Sequence, residues 1–252
     1  MNTGTPVSLQ VSLAFLLAVA GGIVSALAGV SHRRLCALIS LAAGTLLGVT
    51  LFSILPESAE GMPWWAVVLA FASGYWVFSF VSSHLFHVCP ACAASHFDEA
   101  TTHRFSEIAT AMVIALSIHS SLDGVALAAG HEASVRLDAS LALAVCVHKL
   151  PEGLALGALL LGAGFPRRKA VIWVAAVEST TLLGGALGSW LLPGAAPMWM
   201  NLVLAHVGGG FIFLAVHAVL GELVKQGEKV VLANFAAGLT LIALVNLAVR
   251  AL

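Results

Sequence analysis

Charge is what this 252-residue chain has least of: Asp, Glu, Lys and Arg make up 9% of it, against 60% hydrophobic types. A water-soluble domain carries about a quarter charged residues, so an ordinary soluble enzyme is excluded. Eleven basic residues face twelve acidic ones, a net charge of −1. With no basic excess to hold a phosphate backbone, nucleic-acid binding is excluded as well. Cysteine is scarce too: there are four, two of them (Cys89 and Cys92) in one short loop, so no disulfide framework holds the fold. No HExxH occurs, which argues against an intramembrane metalloprotease of that kind. The first apolar run lacks a basic n-region, since MNTGTPVSLQ holds no Lys or Arg, and it outlasts signal length. It is expected to be a span, not a leader. The two-residue alternation of a membrane barrel strand is also missing.

What the chain does have is long apolar stretches, and a bilayer-crossing helix needs about 20 such residues. They fall at 8–30, 35–55, 63–86, 105–130, 137–163, 169–192, 199–223 and 229–251. This predicts an all-α integral membrane protein with eight transmembrane helices. Residues 1–252 form a single transmembrane domain, with one polar Cys/His-containing loop, 87–104, between the third and fourth spans. Arg33, Arg34, Arg104, Arg167, Arg168, Lys169, Lys225 and Lys229 lie in loops of one side, but only Arg136 and Arg250 on the other. The rule that basic residues stay inside puts the first side in the cytosol, with the loop 87–104, and both termini outside. The expected location is the bacterial inner (plasma) membrane. Trp64, Trp65, Trp190 and Trp199 suit an outer interfacial belt. Gly44 with Gly48, Gly153 with Gly157, and Gly184 with Gly188 form GxxxG pairs, read as close helix packing.

Ionisable groups inside a span cost about 2.5–3.5 kcal/mol each on insertion scales, so a cluster of them needs a reason. The fourth span holds His119-Ser120-Ser121-Leu122-Asp123-Gly124 and the fifth holds His148-Lys149-Leu150-Pro151-Glu152-Gly153. Each sets a His and a carboxylate at i and i+4, one turn apart on one face. At 1.5 Å per residue, His119, His148 and Glu152 all come out about 16–22 Å from the cytoplasmic boundary, and Asp123 about 27 Å. Imidazole and carboxylate suit a divalent ion such as Zn²⁺. A proton relay or two satisfied His–carboxylate pairs would use the same residues; two matched pairs at one depth favour metal. Pro151 frees the carbonyl of Val147 and kinks the fifth span beside the pair. Lys149 is a cation next to a cation site, and Glu178, the one carboxylate within the sixth span, is its expected partner.

The two motifs resemble those of the ZIP (Zrt/Irt-like protein) family of divalent metal transporters. Leu55-Pro56-Glu57 at the end of the second span and the His-bearing loop before the fourth add to the likeness. The resemblance implies a 3+2+3 arrangement, with spans one to three and six to eight as inverted pseudo-repeats around four and five. It implies Zn²⁺ as the transported ion, moving toward the cytosol, with Fe²⁺, Mn²⁺ and Cd²⁺ as alternatives and no organic cofactor. Its metal ligands would be His119, Asp123, His148 and Glu152. Ser120, Lys149 and Asp123 depart from the two-metal pattern, in which Asn is frequent at the first, Asn or Asp ligates a second ion at the next and Glu stands at the last. Glu178 matches the helix-six carboxylate of that second site. One ion, with Lys149 in the place of another, is therefore expected. Thr45 is the best the second span offers as a further ligand.

Expected partners are divalent metal ions and the lipid bilayer; a homodimer is compatible with such a chain. Two other functions use the same residues: a membrane-embedded zinc-dependent hydrolase, and a proton-coupled carrier of another solute. Four protein ligands would close the shell that a catalytic zinc keeps open, which disfavours the first. In the loop, Cys89-Pro90-Ala91-Cys92 followed by His96, with His103 further on, reads equally as a metal-binding cluster or as a solvated loop with incidental thiols. His206 and His217, three turns apart on the seventh span, read as hydrogen-bonded interior histidines or as the lining of an exit route. Glu57 and Glu60 read as an attractive entrance or as solvated carboxylates.

Overall fold

The computed structural model describes residues 5–28, 32–81, 83, 102–226 and 228–250. Only the backbone is described at 32, 33, 35, 102–112, 197, 221–226, 228 and 250. Every regular element among these residues is helical: α1 (Val7–Ala28), α2 (His32–Val49), α3 (Leu55–Gly61), α4 (Trp64–Phe80), α5 (Thr102–Ala133), α6 (Val135–Gly162), α7 (Arg167–Leu191), α8 (Pro197–Gln226) and α9 (Glu228–Arg250). Seven spans are long and apolar enough to cross a bilayer, with α2 and α3 counting as one, and α4 is a shorter apolar helix. The chain is an all-α membrane protein of eight spans.

The helix ends follow local chemistry. Pro63 and Pro166 sit just ahead of α4 and α7, where a missing N–H costs nothing. Ser134 caps α6, its hydroxyl accepting from Leu137 N at 3.3 Å. At the end of α6, Phe165 N bonds Leu160 O and Gly164 N bonds Leu161 O, both at 3.0 Å. This Schellman closure needs the left-handed φ of +85° that Gly164 adopts.

The second span runs further than its apolar run suggests. A π-helical segment, Thr50–Ile54, joins α2 to α3 and carries the helix on to Gly61. Pro56 explains it: a proline in a regular helix collides with the carbonyl four residues back, and the wider turn takes up that misfit.

The spans sort into two groups of four by their packing. One comprises α1, α5, α6 and α7, with α5 laid along α7 and α1 along both α6 and α7. The other comprises α2 with α3, α4, α8 and α9, with α2 along α9 and α4 along α8. The groups meet chiefly where α2 crosses α6 and α8 closes on α5. Exchanging α1 with α7, α2 with α8, α4 with α9, and α5 with α6 maps these partnerships onto one another, each helix reversed in direction. That is the relation expected of inverted repeats.

Reciprocal glycines mark the crossings. A Cβ on Gly124 would strike the carbonyl of Thr181, and one on Gly184 the carbonyl of Ser121. Gly21 and Gly153 do the same against Leu150 and Ala18, Gly44 and Gly238 against Phe235 and Leu41, and Gly74 and Gly209 against His206 and Phe71. Only hydrogen lets these backbones approach so closely. The second members of the three GxxxG pairs also face neighbouring helices: Gly48 meets Ile242, Gly157 meets Ser25, and Gly188 meets Ala128.

The outward faces carry exposed Leu, Val and Trp. Trp64 and Trp190 stand 78% exposed at one end of the bundle, Trp65 and Trp199 beside them, while Trp76 and Trp173 stand out toward the other end. Exposed tryptophans thus stand toward both ends of the bundle.

Candidate metal centre

Ser134 alone separates α5 from α6, so the two helices form a tight antiparallel hairpin with their motifs side by side. His119, Asp123, His148 and Glu152 each offer a ligand atom, and all four atoms lie within 4.8 Å of one another. His148 Nε2 is 3.1 Å and His119 Nε2 3.4 Å from Asp123 Oδ2. Their distances to Glu152 Oε2 are 3.8 and 3.9 Å. Donors about 2.0–2.1 Å from a tetrahedral zinc stand about 3.3 Å apart, so this spacing fits one ion after small adjustments.

The protonation of His148 follows from its other contact. Its Nδ1 lies 2.9 Å from the carbonyl of Ala144, which can only accept, so Nδ1 carries the hydrogen. On a neutral ring Nε2 then points a lone pair at a carboxylate oxygen. Two acceptors at 3.1 Å call for positive charge between them, a proton or a metal. Asp123 Oδ1 and His119 Nδ1 are buried without a hydrogen-bond partner. The two imidazoles lie 5.5 Å apart, and Phe78 from α4 meets His119 edge-on at 6.4 Å.

Lys149 enters the same cluster. Its Nζ donates to Ser120 Oγ at 2.7 Å, Glu152 Oε2 at 2.9 Å and Glu178 Oε2 at 3.0 Å, and it lies 3.0 Å from Asp123 Oδ2. Ser120 Oγ in turn lies 3.2 Å from Glu152 Oε1 and from Glu178 Oε2. The sequence pairs Lys149 with Glu178 alone. In the structure the ammonium also reaches both carboxylates of the quartet, so an ion held there would have to share Asp123 Oδ2 and Glu152 Oε2 with Lys149.

The remaining sequence candidates lie apart. Thr45 is buried, but its hydroxyl donates within α2 to Ala42 O at 2.8 Å. His206 Nδ1 contacts Ser73 Oγ at 2.8 Å. His217 stacks on Phe213 at 3.9 Å, with Nδ1 2.8 Å from the Phe213 carbonyl. Cys89, Cys92 and His96 fall outside the described residues, and His103 is described only in its backbone. Three buried polar links escape a search for ionisable motifs. Ser53 Oγ donates to Asn246 Oδ1 at 3.1 Å, and Asn246 Nδ2 to Ser140 Oγ at 3.0 Å. Gln10 Nε2 donates to Asp138 Oδ1 at 2.7 Å. A lone Asn or Gln inside an apolar run is the signal that would have found them.

Fold and site together define an eight-span integral membrane protein with a buried His/carboxylate quartet on its central hairpin. The chain matches the family described as "ZIP Zinc transporter" over residues 91–246. It belongs to that family, one of transporters and not of enzymes. It is 26% identical over 211 residues to the zinc transporter YKE4 of Saccharomyces cerevisiae, covering 75% of this chain and 61% of that one. Against the human zinc transporter SLC39A7 it is 31% identical over 119 residues, 44% of this chain and 25% of the other. Zinc transporter ZIP13 of Pongo abelii is 26% identical over 221 residues, covering 80% and 62% respectively. The chain spans less than two thirds of the length of these relatives.

Proposed function

We propose that this protein carries a divalent metal ion, zinc foremost, across the plasma membrane toward the cytosol, with His119, Asp123, His148 and Glu152 as the transported ion's ligands. The reading rests on one observation: four N/O donors of the types zinc prefers converge within 4.8 Å on two adjacent helices. The names of the relatives point to the same cargo. Both termini face outward in this reading, because Arg34, Arg167, Arg168, Lys169 and Lys229 gather at the ends of α2, α7 and α9 that belong to one side. The site takes one ion: the Lys149 ammonium, with three donors and no acceptor, holds Glu178 and Ser120 where a second would need them.

Zinc flux into liposomes containing the purified protein tests this. His148→Ala and Glu152→Ala should each abolish metal-dependent flux while the protein stays inserted and folded, because each strips a ligand from a desolvated ion. Near-normal flux in both would overturn the assignment.

A further inference from the structure

A second polar cluster lies where the α5–α6 hairpin turns, at the end of the bundle away from most Lys and Arg. Asp138, at the start of α6, is buried to 4% side-chain exposure, and its ion-pair partner among the described residues is His131, with Nδ1 3.4 Å from Oδ1. Gln10 of α1 is 4% exposed and closes the other side. Its Nε2 donates to both Thr5 O at 3.0 Å and Asp138 Oδ1 at 2.7 Å. Both partners are acceptors, so turning the amide over would set oxygen against oxygen. Gln10 Oε1 is therefore left buried with no hydrogen-bond partner. An imidazole, a carboxylate and an amide oxygen thus gather in one place, and a buried carboxylate without a strong cation is costly. The neighbouring cation, Arg136, is 3.5 Å from Glu57 Oε2, which also accepts from Ser134 at 3.0 Å. Glu60 and Glu132 stand exposed nearby on α3 and α5.

We propose that His131, Asp138 and Gln10 form a second, weaker divalent-cation site that takes up metal ahead of the central quartet. This rests on the transport reading for its role, not for its chemistry. The donor set is the N/O mixture that borderline divalent ions accept. Three protein ligands leave positions for water, which suits a site that must let its ion go. His131, at 20% side-chain exposure, is the open edge. Eight residues of α5 separate Asp123 from His131, about 12 Å along the helix, so the two sites stand in line on one hairpin.

The test titrates zinc into the purified full chain carrying Cys89→Ser, Cys92→Ser, His148→Ala and Glu152→Ala, which silences the loop and the quartet. One weak equivalent of zinc should remain, and adding His131→Ala should weaken it about tenfold, which is about 1.4 kcal/mol. Asp138→Asn should remove it. With the quartet intact, His131→Ala should raise the half-saturating zinc concentration for flux and leave the maximal rate unchanged. No zinc binding once the quartet is silenced, or binding indifferent to both His131→Ala and Asp138→Asn, overturns the second site. If the outer ion binds as described but the intact protein moves no zinc, it is the transport reading that fails.

Discussion

The two four-helix groups are built alike and loaded differently. Each is locked by reciprocal glycine contacts, Gly124 with Gly184 and Gly21 with Gly153 in one, Gly44 with Gly238 and Gly74 with Gly209 in the other. Among the described residues, only the α1, α5, α6 and α7 group buries charge: Asp123, Lys149 and Glu178 are wholly enclosed there. The other buries Ser53, Thr45 and Asn246, polar but uncharged, and an aromatic set in which Tyr75 and Phe78 pack on Phe213. Helix packing therefore does not demand the charges. They are an added load on one of two similar frames, which is why they read as function.

The largest effect should strike both groups equally. Gly184→Val and Gly209→Val each drive a side chain into a neighbouring backbone, the carbonyl of Ser121 or of Phe71. A backbone cannot step aside, so folded, detergent-stable protein should be lost in both, as read by size-exclusion chromatography. Tolerance in one group only would break the likeness of the frames.

Next comes a change that only the charged group should feel. Lys149→Ala removes the cation that serves Asp123, Glu152 and Glu178 together. Stripping one partner from a buried ion cluster costs about 3–5 kcal/mol. Thermal unfolding should show that loss without zinc and a substantial recovery with it. Lys149→Asn, which restores an oxygen donor, should admit a second ion near Glu178. Unchanged stability, or two ions already present in the unmodified protein, would show that Lys149 is not the resident cation.

The smallest effect concerns the boundary between the groups. Asn246 of α9 joins Ser53 to Ser140 of α6. Interhelical hydrogen bonds in membranes average about 0.6 kcal/mol, so Asn246→Leu should lower stability by about that much and leave zinc binding at the quartet intact. A loss several times larger would mean that this bridge, not the apolar contact of α2 with α6, joins the groups.

The spans and the quartet were legible because both are written in short-range patterns. Apolar runs announce crossings, and an i, i+4 spacing puts His119 over Asp123 and His148 over Glu152 whatever else the chain does. The partners of Lys149 were only partly legible. Its neighbours Ser120, Asp123 and Glu178 come from other helices, so their distances depend on crossings set by Gly124 and Gly184. The length of the second span was missed because Pro56 reads as a stop, and a π turn that absorbs a proline leaves no mark in composition. Gln10 and Asn246 stayed hidden because each is a single polar residue with a side-chain partner over a hundred positions away.

The exchange that relates the two halves also acts on the site. It turns His119 into His148, Asp123 into Glu152, and Gly124 into Gly153, so the quartet lies across the pseudo-twofold axis and looks much the same from either face of the bilayer. Lys149 and Glu178 break this equivalence. Ser120 stands opposite Lys149, and Phe15, six residues before Gly21 as Glu178 is six before Gly184, stands opposite the carboxylate. In the transport reading the quartet by itself therefore carries no arrow: an ion arriving from either face would meet a His and a carboxylate. Whatever polarity this centre has resides in Lys149 and the carboxylate of Glu178 that it holds.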